Sequence, residues 1–154
     1  MTIDGDWYNE LNSKMVLAAR GPAITGKYHT AVGNASGIYE LGGRIDGKAG
    51  SSRAVAFVVS WENSEGDSES VTAWSGEVQA EGQDDERILT TWLLTRETDP
   101  QNNWKSTVVG QDVFTRRPPN SAAVKARRLH ASPHPPQIAG SIVGPDKRAG
   151  QALG

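Results

Sequence analysis

Residues 104–114 read Trp104-Lys105-Ser106-Thr107-Val108-Val109-Gly110-Gln111-Asp112-Val113-Phe114. Side chains alternate across a strand, so this run predicts a single strand with Val108, Gly110, Asp112 and Phe114 on one face. That face is apolar except for one carboxylate. Around Asp112 the opposite face carries Val109, Gln111 and Val113, which is also dry. A strand with two dry faces and one acid needs a partner for the acid and a cover for the second face.

The rest of the chain sets the frame. With 154 residues it is long enough for one domain with a proper core. The formal charge of −2 gives no strong field for nucleic acid or an anionic membrane, and no run of 18 apolar residues predicts a membrane span. The start, Met1-Thr2-Ile3-Asp4-Gly5, lacks the basic and apolar regions of a signal peptide. Cysteine is absent, which excludes disulfides and thiolate metal or redox chemistry. High Gly (17) and Trp (5), with recurring Thr and Ser, favour short strands joined by tight turns.

Residues 118–154 differ in kind. They begin Pro118-Pro119-Asn120-Ser121, hold six of the eight prolines and contain no aromatic residue. Such a segment buries too little apolar area to offset its ordering entropy, so it is expected to be a disordered tail. It carries about +4, leaving about −6 on residues 1–117.

Within 1–117 short runs lie near 6–17, 24–31, 37–45, 53–62, 69–79, 87–96 and 104–115, with no sustained helical periodicity. Turn signals separate them, among them Gly21-Pro22, Gly33-Asn34, Glu65-Gly66-Asp67 and Asp99-Pro100. If one early run breaks in two, seven or eight antiparallel strands in hairpin order would close a small up-and-down barrel. Barrels of about eight strands can hold one small ligand. The fold expected is all-β, an eight-stranded antiparallel barrel over 1–117 followed by the tail.

Alternation then assigns faces. Val55, Phe57, Val59 and Trp61 form one large apolar face, backed by small uncharged Ala54, Ala56, Val58 and Ser60. Likewise Ile88, Thr90, Trp92 and Leu94 oppose Leu89, Thr91 and Leu93. An isolated barrel should carry charge outside, so dry outer faces on neighbouring strands predict a subunit interface. Trp61, Trp74 and Trp92 fall on large-residue faces beside polar groups: Ser70 and Thr72 before Trp74, Thr90 before Trp92, and Asp112. From the N-terminal runs, Asn9, Leu11 and Ser13 share a face with Trp7, and Tyr28 and Thr30 share one with Gly26. A barrel would converge these polar groups, and buried polar groups need partners, which points to a ligand. The histidines His29, His130 and His134 are scattered, so neither a metal site nor a Ser/His/Asp constellation is expected. Asn34-Ala35-Ser36 matches a glycosylation sequon, a pattern common by chance.

Six motifs in order carry a resemblance: Trp7-Tyr8-Asn9-Glu10-Leu11-Asn12-Ser13, Thr25-Gly26-Lys27-Tyr28, Ala31-Val32-Gly33-Asn34-Ala35, Thr72-Ala73-Trp74-Ser75-Gly76, Thr91-Trp92-Leu93-Leu94-Thr95, and Trp104-Lys105-Ser106-Thr107 with Gly110-Gln111-Asp112. Together they resemble the avidin/streptavidin family of biotin-binding proteins, on its bacterial, streptavidin-like side. The resemblance implies a non-catalytic barrel with biotin as bound ligand and no cofactor. By it, Asn9, Ser13 and Tyr28 match the donors to the ureido oxygen, and Asp112 and Thr30 the acceptors for the two ureido N–H groups. Thr72 matches the hydroxyl near the thioether sulfur, and Asn34 and Ser70 the groups at the valerate carboxylate. Trp61, Trp74 and Trp92 match the indole wall, with Leu11, Val32 and Leu94 filling around it. Trp104 matches the residue each subunit places over its neighbour's pocket, which implies a homotetramer.

The resemblance further implies biotin and biotinylated molecules as partners, without nucleic acid or membrane, and a secreted or periplasmic location. Some positions depart from streptavidin's pattern. Thr30 stands for serine, Ser68 for alanine, Phe57 for a tryptophan and Gln111 for an interfacial histidine, and the loop at 46–53 is shorter. A carrier for a different small apolar ligand on the same barrel is the rival reading. An enzyme on this shell would lack a positioned nucleophile or a base other than Asp112.

Overall fold

The computed structural model describes residues 2–31, 37–48, 50, 52–61, 70–80, 86–130 and 135. Eight strands follow one another: β1 (Gly5–Asn9), β2 (Lys14–Arg20), β3 (Ala23–His29), β4 (Ile38–Ile45), β5 (Ser52–Trp61), β6 (Ser70–Ala80), β7 (Glu86–Arg96) and β8 (Thr107–Thr115). Each pairs antiparallel with the next, and β8 returns to β1 through Tyr8 opposite Thr115 and Asn9 opposite Phe114, closing the barrel. Closure leaves no sheet edge to be capped or shielded.

Period-2 alternation holds on the long strands. On β5, Val55, Phe57, Val59 and Trp61 are buried while Ala54, Ala56, Val58 and Ser60 face out. The interior is packed mainly by large side chains, among them Trp7, Met15, Tyr28, Phe57, Trp74 and Phe114. Phe57, at a position where the resemblance suggested tryptophan, stacks on Trp74 with centroids 5.2 Å apart.

Three local features depart from the period-2 reading. The early run that breaks in two is the one near 6–17, which gives β1 and β2 and takes Leu11 and Ser13 out of the strand, because Asn12 adopts φ 69° and Asn9 ties the turn together. The Asn9 Oδ1 accepts the backbone N–H groups of Leu11 (3.1 Å) and Ser13 (2.9 Å), an Asx-type arrangement that competes with strand continuation. Leu11 and Ser13 are buried turn residues, not members of a continuous strand with Trp7. The strand expected from Trp104 begins only at Thr107, because Pro100 starts a 3-10 helix, η1 (Pro100–Lys105), that carries Trp104. Within the proposed tail, Ser121–His130 form a helix, α1. Its start signal is local and is diluted in the composition of the whole segment. Asn120 caps it through Oδ1 to the Ala123 N–H at 2.8 Å, and Ala122, Ala123, Lys125 and Ala126 are strong helix formers.

Arg116 joins the two chain ends of the barrel. Its guanidinium sits 3.8 Å from the centroid of the Trp7 ring, donates to Glu86 (2.7 Å), and reaches the carbonyls of Thr2 (2.7 Å) and Asp4 (2.8 Å). Replacing it (Arg116→Ala) removes these charge-assisted bonds and the ring contact together. We expect a loss of about 2–4 kcal/mol of stability, read as a lowered urea midpoint with unchanged slope; an unchanged midpoint would mean that the junction is held by β1–β8 pairing alone.

Candidate ligand-binding site

The ends of β1, β3, β5 and β7 and the start of β8 define one end of the barrel, and the polar groups cluster toward it. Asn9, at the end of β1, sends Nδ2 to the Tyr28 hydroxyl at 3.3 Å. Ser13, after the turn, accepts the Ala31 N–H on Oγ at 3.1 Å. Asn9, Ser13 and Tyr28 are essentially fully buried. Burial, then the negative charge of Asp112, raises the Tyr28 phenol well above its ordinary pKa, against a smaller opposing hydrogen bond from Ser13. Tyr28 therefore stays protonated at neutral pH and keeps its O–H as a donor.

Asp112 enters from β8 on the buried face with Phe114. Its Oδ2 accepts the indole N–H of Trp74 at 2.9 Å, a link across 38 residues of sequence. Thr90, directly opposite in the β7–β8 register, bonds the Asp112 carbonyl at 3.0 Å. Thr90 thus fixes the strand at the acid. Trp61 donates to Thr72 Oγ1 at 2.7 Å.

The indoles form a wall around this group. Trp61 and Trp74 lie 6.2 Å apart at 70°, and Tyr28 contacts both, edge-on to Trp61 (5.3 Å) and nearly parallel to Trp74 (5.7 Å). Trp92 and Leu94 complete the buried row on β7. Trp92 lies against Gly110, where an added Cβ would fall 2.6 Å from the indole Cε2. The sequence left Tyr39 out, yet its ring packs on Trp61 at 5.0 Å. The sequence also left Trp7 unassigned. Its N–H goes to the Ile3 carbonyl at 2.8 Å and its face to Arg116, so it closes the barrel at the chain termini.

Of the residues expected at the site, Asn9, Leu11, Ser13, Tyr28, Trp61, Ser70, Thr72, Trp74, Trp92, Leu94 and Asp112 are buried in this one barrel. Thr30 is half-buried just past β3. Val32 and Asn34, with Ser68 and the sequon Asn34-Ala35-Ser36, lie outside the described residues. Trp104 is on the surface, 75% exposed, with the Lys105 ammonium 4.8 Å from its ring centroid. Beside this end, a cavity of about 500 Å³ lies between the β1–β2 turn and the tail, lined by Leu11, Asn12, Ala31, Pro119, Val124 and Lys125 among others.

Chemically the arrangement offers converging donors on one side, a carboxylate on the other, and aromatic faces between. A dry site of this type strengthens each hydrogen bond, because preorganised dipoles need no reorganisation when a ligand binds. It suits a flat polar head that both accepts and donates.

The sequence matches the family profile described as Avidin family over residues 1–117. Avidin-related protein 4/5 of Gallus gallus is 35% identical over 121 residues, covering 75% of this chain and 77% of that protein. Avidin of the same species is 31% identical over 125 residues, covering 75% and 78%. Afifavidin of Afifella pfennigii is 30% identical over 120 residues, covering 73% and 68%.

Proposed function

We propose that this chain, which belongs to the avidin family, binds one biotin inside each barrel without catalysing a reaction on it. The observation that carries this reading is the convergence, in one closed barrel, of the Asn9, Ser13 and Tyr28 cluster with Asp112 held by Trp74. On this reading the three donors meet the ureido oxygen, and Asp112 and Thr30 accept the ureido N–H groups. Thr72 sits near the sulfur, while Trp61, Trp74 and Trp92, with Leu11, Val32 and Leu94, wall the ring. Ser70 and Asn34 lie toward the carboxylate end. Residues 1–117 suffice for this, and the protein works outside the cytoplasm.

We further propose that the barrels assemble as a homotetramer. Cross-strand rows on the outer face of β5–β8 run Val58–Ala73–Leu93–Val109 and Ala56–Ser75–Thr91–Gln111, with no charge in either. Leu93 is 51% and Val109 60% exposed in the single chain. The β3–β4 side, by contrast, carries Lys27 paired with Glu40 across its exposed surface. An uncharged outer face of this extent favours burial against a copy of the chain.

Two measurements test the binding reading. Saturating biotin should raise the thermal midpoint, because a ligand that binds only the folded state stabilises it by mass action. Asp112→Ala should weaken biotin binding by about 1–3 kcal/mol, by leaving a ligand N–H without its acceptor. A melt that biotin leaves unmoved, or an Asp112→Ala variant with parental affinity by calorimetry, contradicts the assignment.

A further inference from the structure

At the end of the barrel the inward row of side chains finishes with Trp61 on β5, Ser70 on β6 and Arg96 on β7. Ser70 is the cross-strand partner of both Trp61 and Arg96. Directly opposed residues of an antiparallel pair share a face and bring their Cβ atoms to about 5 Å. Arg96 continues the buried series Ile88, Thr90, Trp92, Leu94, so its stem points inward at the rim.

Its environment is unusual for a cation. The Arg96 Nη2 donates to the Lys105 carbonyl at 3.1 Å, and its backbone N–H donates to the Ser106 carbonyl at 2.9 Å, which pins the residue against the segment following Trp104. Nε and Nη1 are buried and have no hydrogen-bond partner among the described residues; the same holds for Ser70 Oγ. No carboxylate of the described residues pairs with Arg96. Buried N–H groups of a guanidinium without acceptors are costly, and such groups in a native structure point to a missing partner. The shortfall is in acceptors bearing negative charge, and the residue that carries it stands cross-strand from Ser70, whose hydroxyl can also donate.

We infer that Arg96 adds a guanidinium to the rim position where Ser70 faces the ligand, and that it takes the carboxylate at the free end of the bound ligand's alkyl chain. This rests on the biotin reading and extends it. Arg96 is a residue to which neither the motifs nor the sequence faces assigned a role. The Arg96 guanidinium makes the pocket selective for a ligand with a free carboxylate over one whose chain end is a neutral ester or amide. A guanidinium suits this task because its planar fork presents directed donors that match a carboxylate.

The test compares biotin with biotin methyl ester, which keeps the ring and chain and loses the charge. Wild-type protein, Arg96→Gln and Arg96→Lys are titrated with each in the same buffer. Wild type should hold biotin about 10- to 100-fold more tightly than the ester, the range of a charge-assisted hydrogen bond. In Arg96→Gln biotin should lose about tenfold more affinity than the ester, and Arg96→Lys should retain most of the wild-type ratio. An equal ratio in wild type and Arg96→Gln overturns this role of Arg96. So does an equal loss for both ligands, which would assign Arg96 to holding the Lys105 carbonyl and nothing more. Failure of both ligands to bind wild type is a different result: it removes the biotin reading itself, and the role of Arg96 with it.

Discussion

Replacing Trp104 with alanine should accelerate release of biotin by about 10²- to 10⁴-fold. The expected size follows from area. An indole buries about 150–250 Å², which at about 25 cal/mol/Å² amounts to about 4–6 kcal/mol as an upper bound. Each 1.4 kcal/mol is about tenfold in the rate constant at fixed association. In one chain Trp104 is 75% exposed and sits on η1, a short 3-10 turn with no buried residue. An exposed tryptophan on such a turn gains little from its own barrel. In the proposed assembly a neighbour across the uncharged β5–β8 face would cover it, with the indole over that neighbour's pocket. Release at the parental rate from the Trp104→Ala protein would contradict this, as would a monomer by light scattering that holds biotin as tightly as the assembled protein.

Gly110→Ala should also have a large effect, for a steric reason. Gly110 and Trp92 are cross-strand partners, and the indole lies across the glycine so closely that an added Cβ would overlap its six-membered ring. The ring cannot stay where it is. Overpacking of this kind costs about 1–3 kcal/mol, and here the displaced group is part of the pocket wall. Stability should fall by that amount and biotin affinity by about 10- to 100-fold, since a wall indole would no longer face the ligand. Gly42→Ala is the matched control. A Cβ there meets nothing within 4 Å, so stability should stay within about 0.5 kcal/mol of the parent. Equal behaviour of the two variants, by urea unfolding and by ligand release, would contradict the packing account.

Much of this was legible because a barrel strand has only two faces. Val55, Phe57, Val59 and Trp61 declare the inside by period alone, and so do Asp112 and Phe114. Alternation does not say which group a buried polar atom meets. Trp74 and Asp112 are 38 residues apart, and their bond follows from register across β6, β7 and β8. Thr90 looked like a ligand group and is instead bonded to a backbone carbonyl. One early run had to break for eight strands to form, but the hydrophobic pattern of 6–17 mimics a strand throughout, and it is Asn9 and the left-handed Asn12 that fix where the backbone bends. Arg96 was passed over because a charge at a strand end ordinarily faces water. Here the residue is partly buried, its guanidinium held by the Lys105 carbonyl and its backbone N–H by the Ser106 carbonyl. The helix α1 was hidden by the composition around it, since prolines and the lack of aromatics outweighed a ten-residue stretch of good helix formers.

One biotin held in each barrel against its indole wall would be reported by the indoles themselves. Titrating biotin into the full-length protein while following tryptophan emission tests it most directly, because Trp61, Trp74 and Trp92 would all contact or adjoin the ligand. Emission should change and saturate sharply at one biotin per chain. A linear, unsaturating response, or no change at several equivalents, would contradict it.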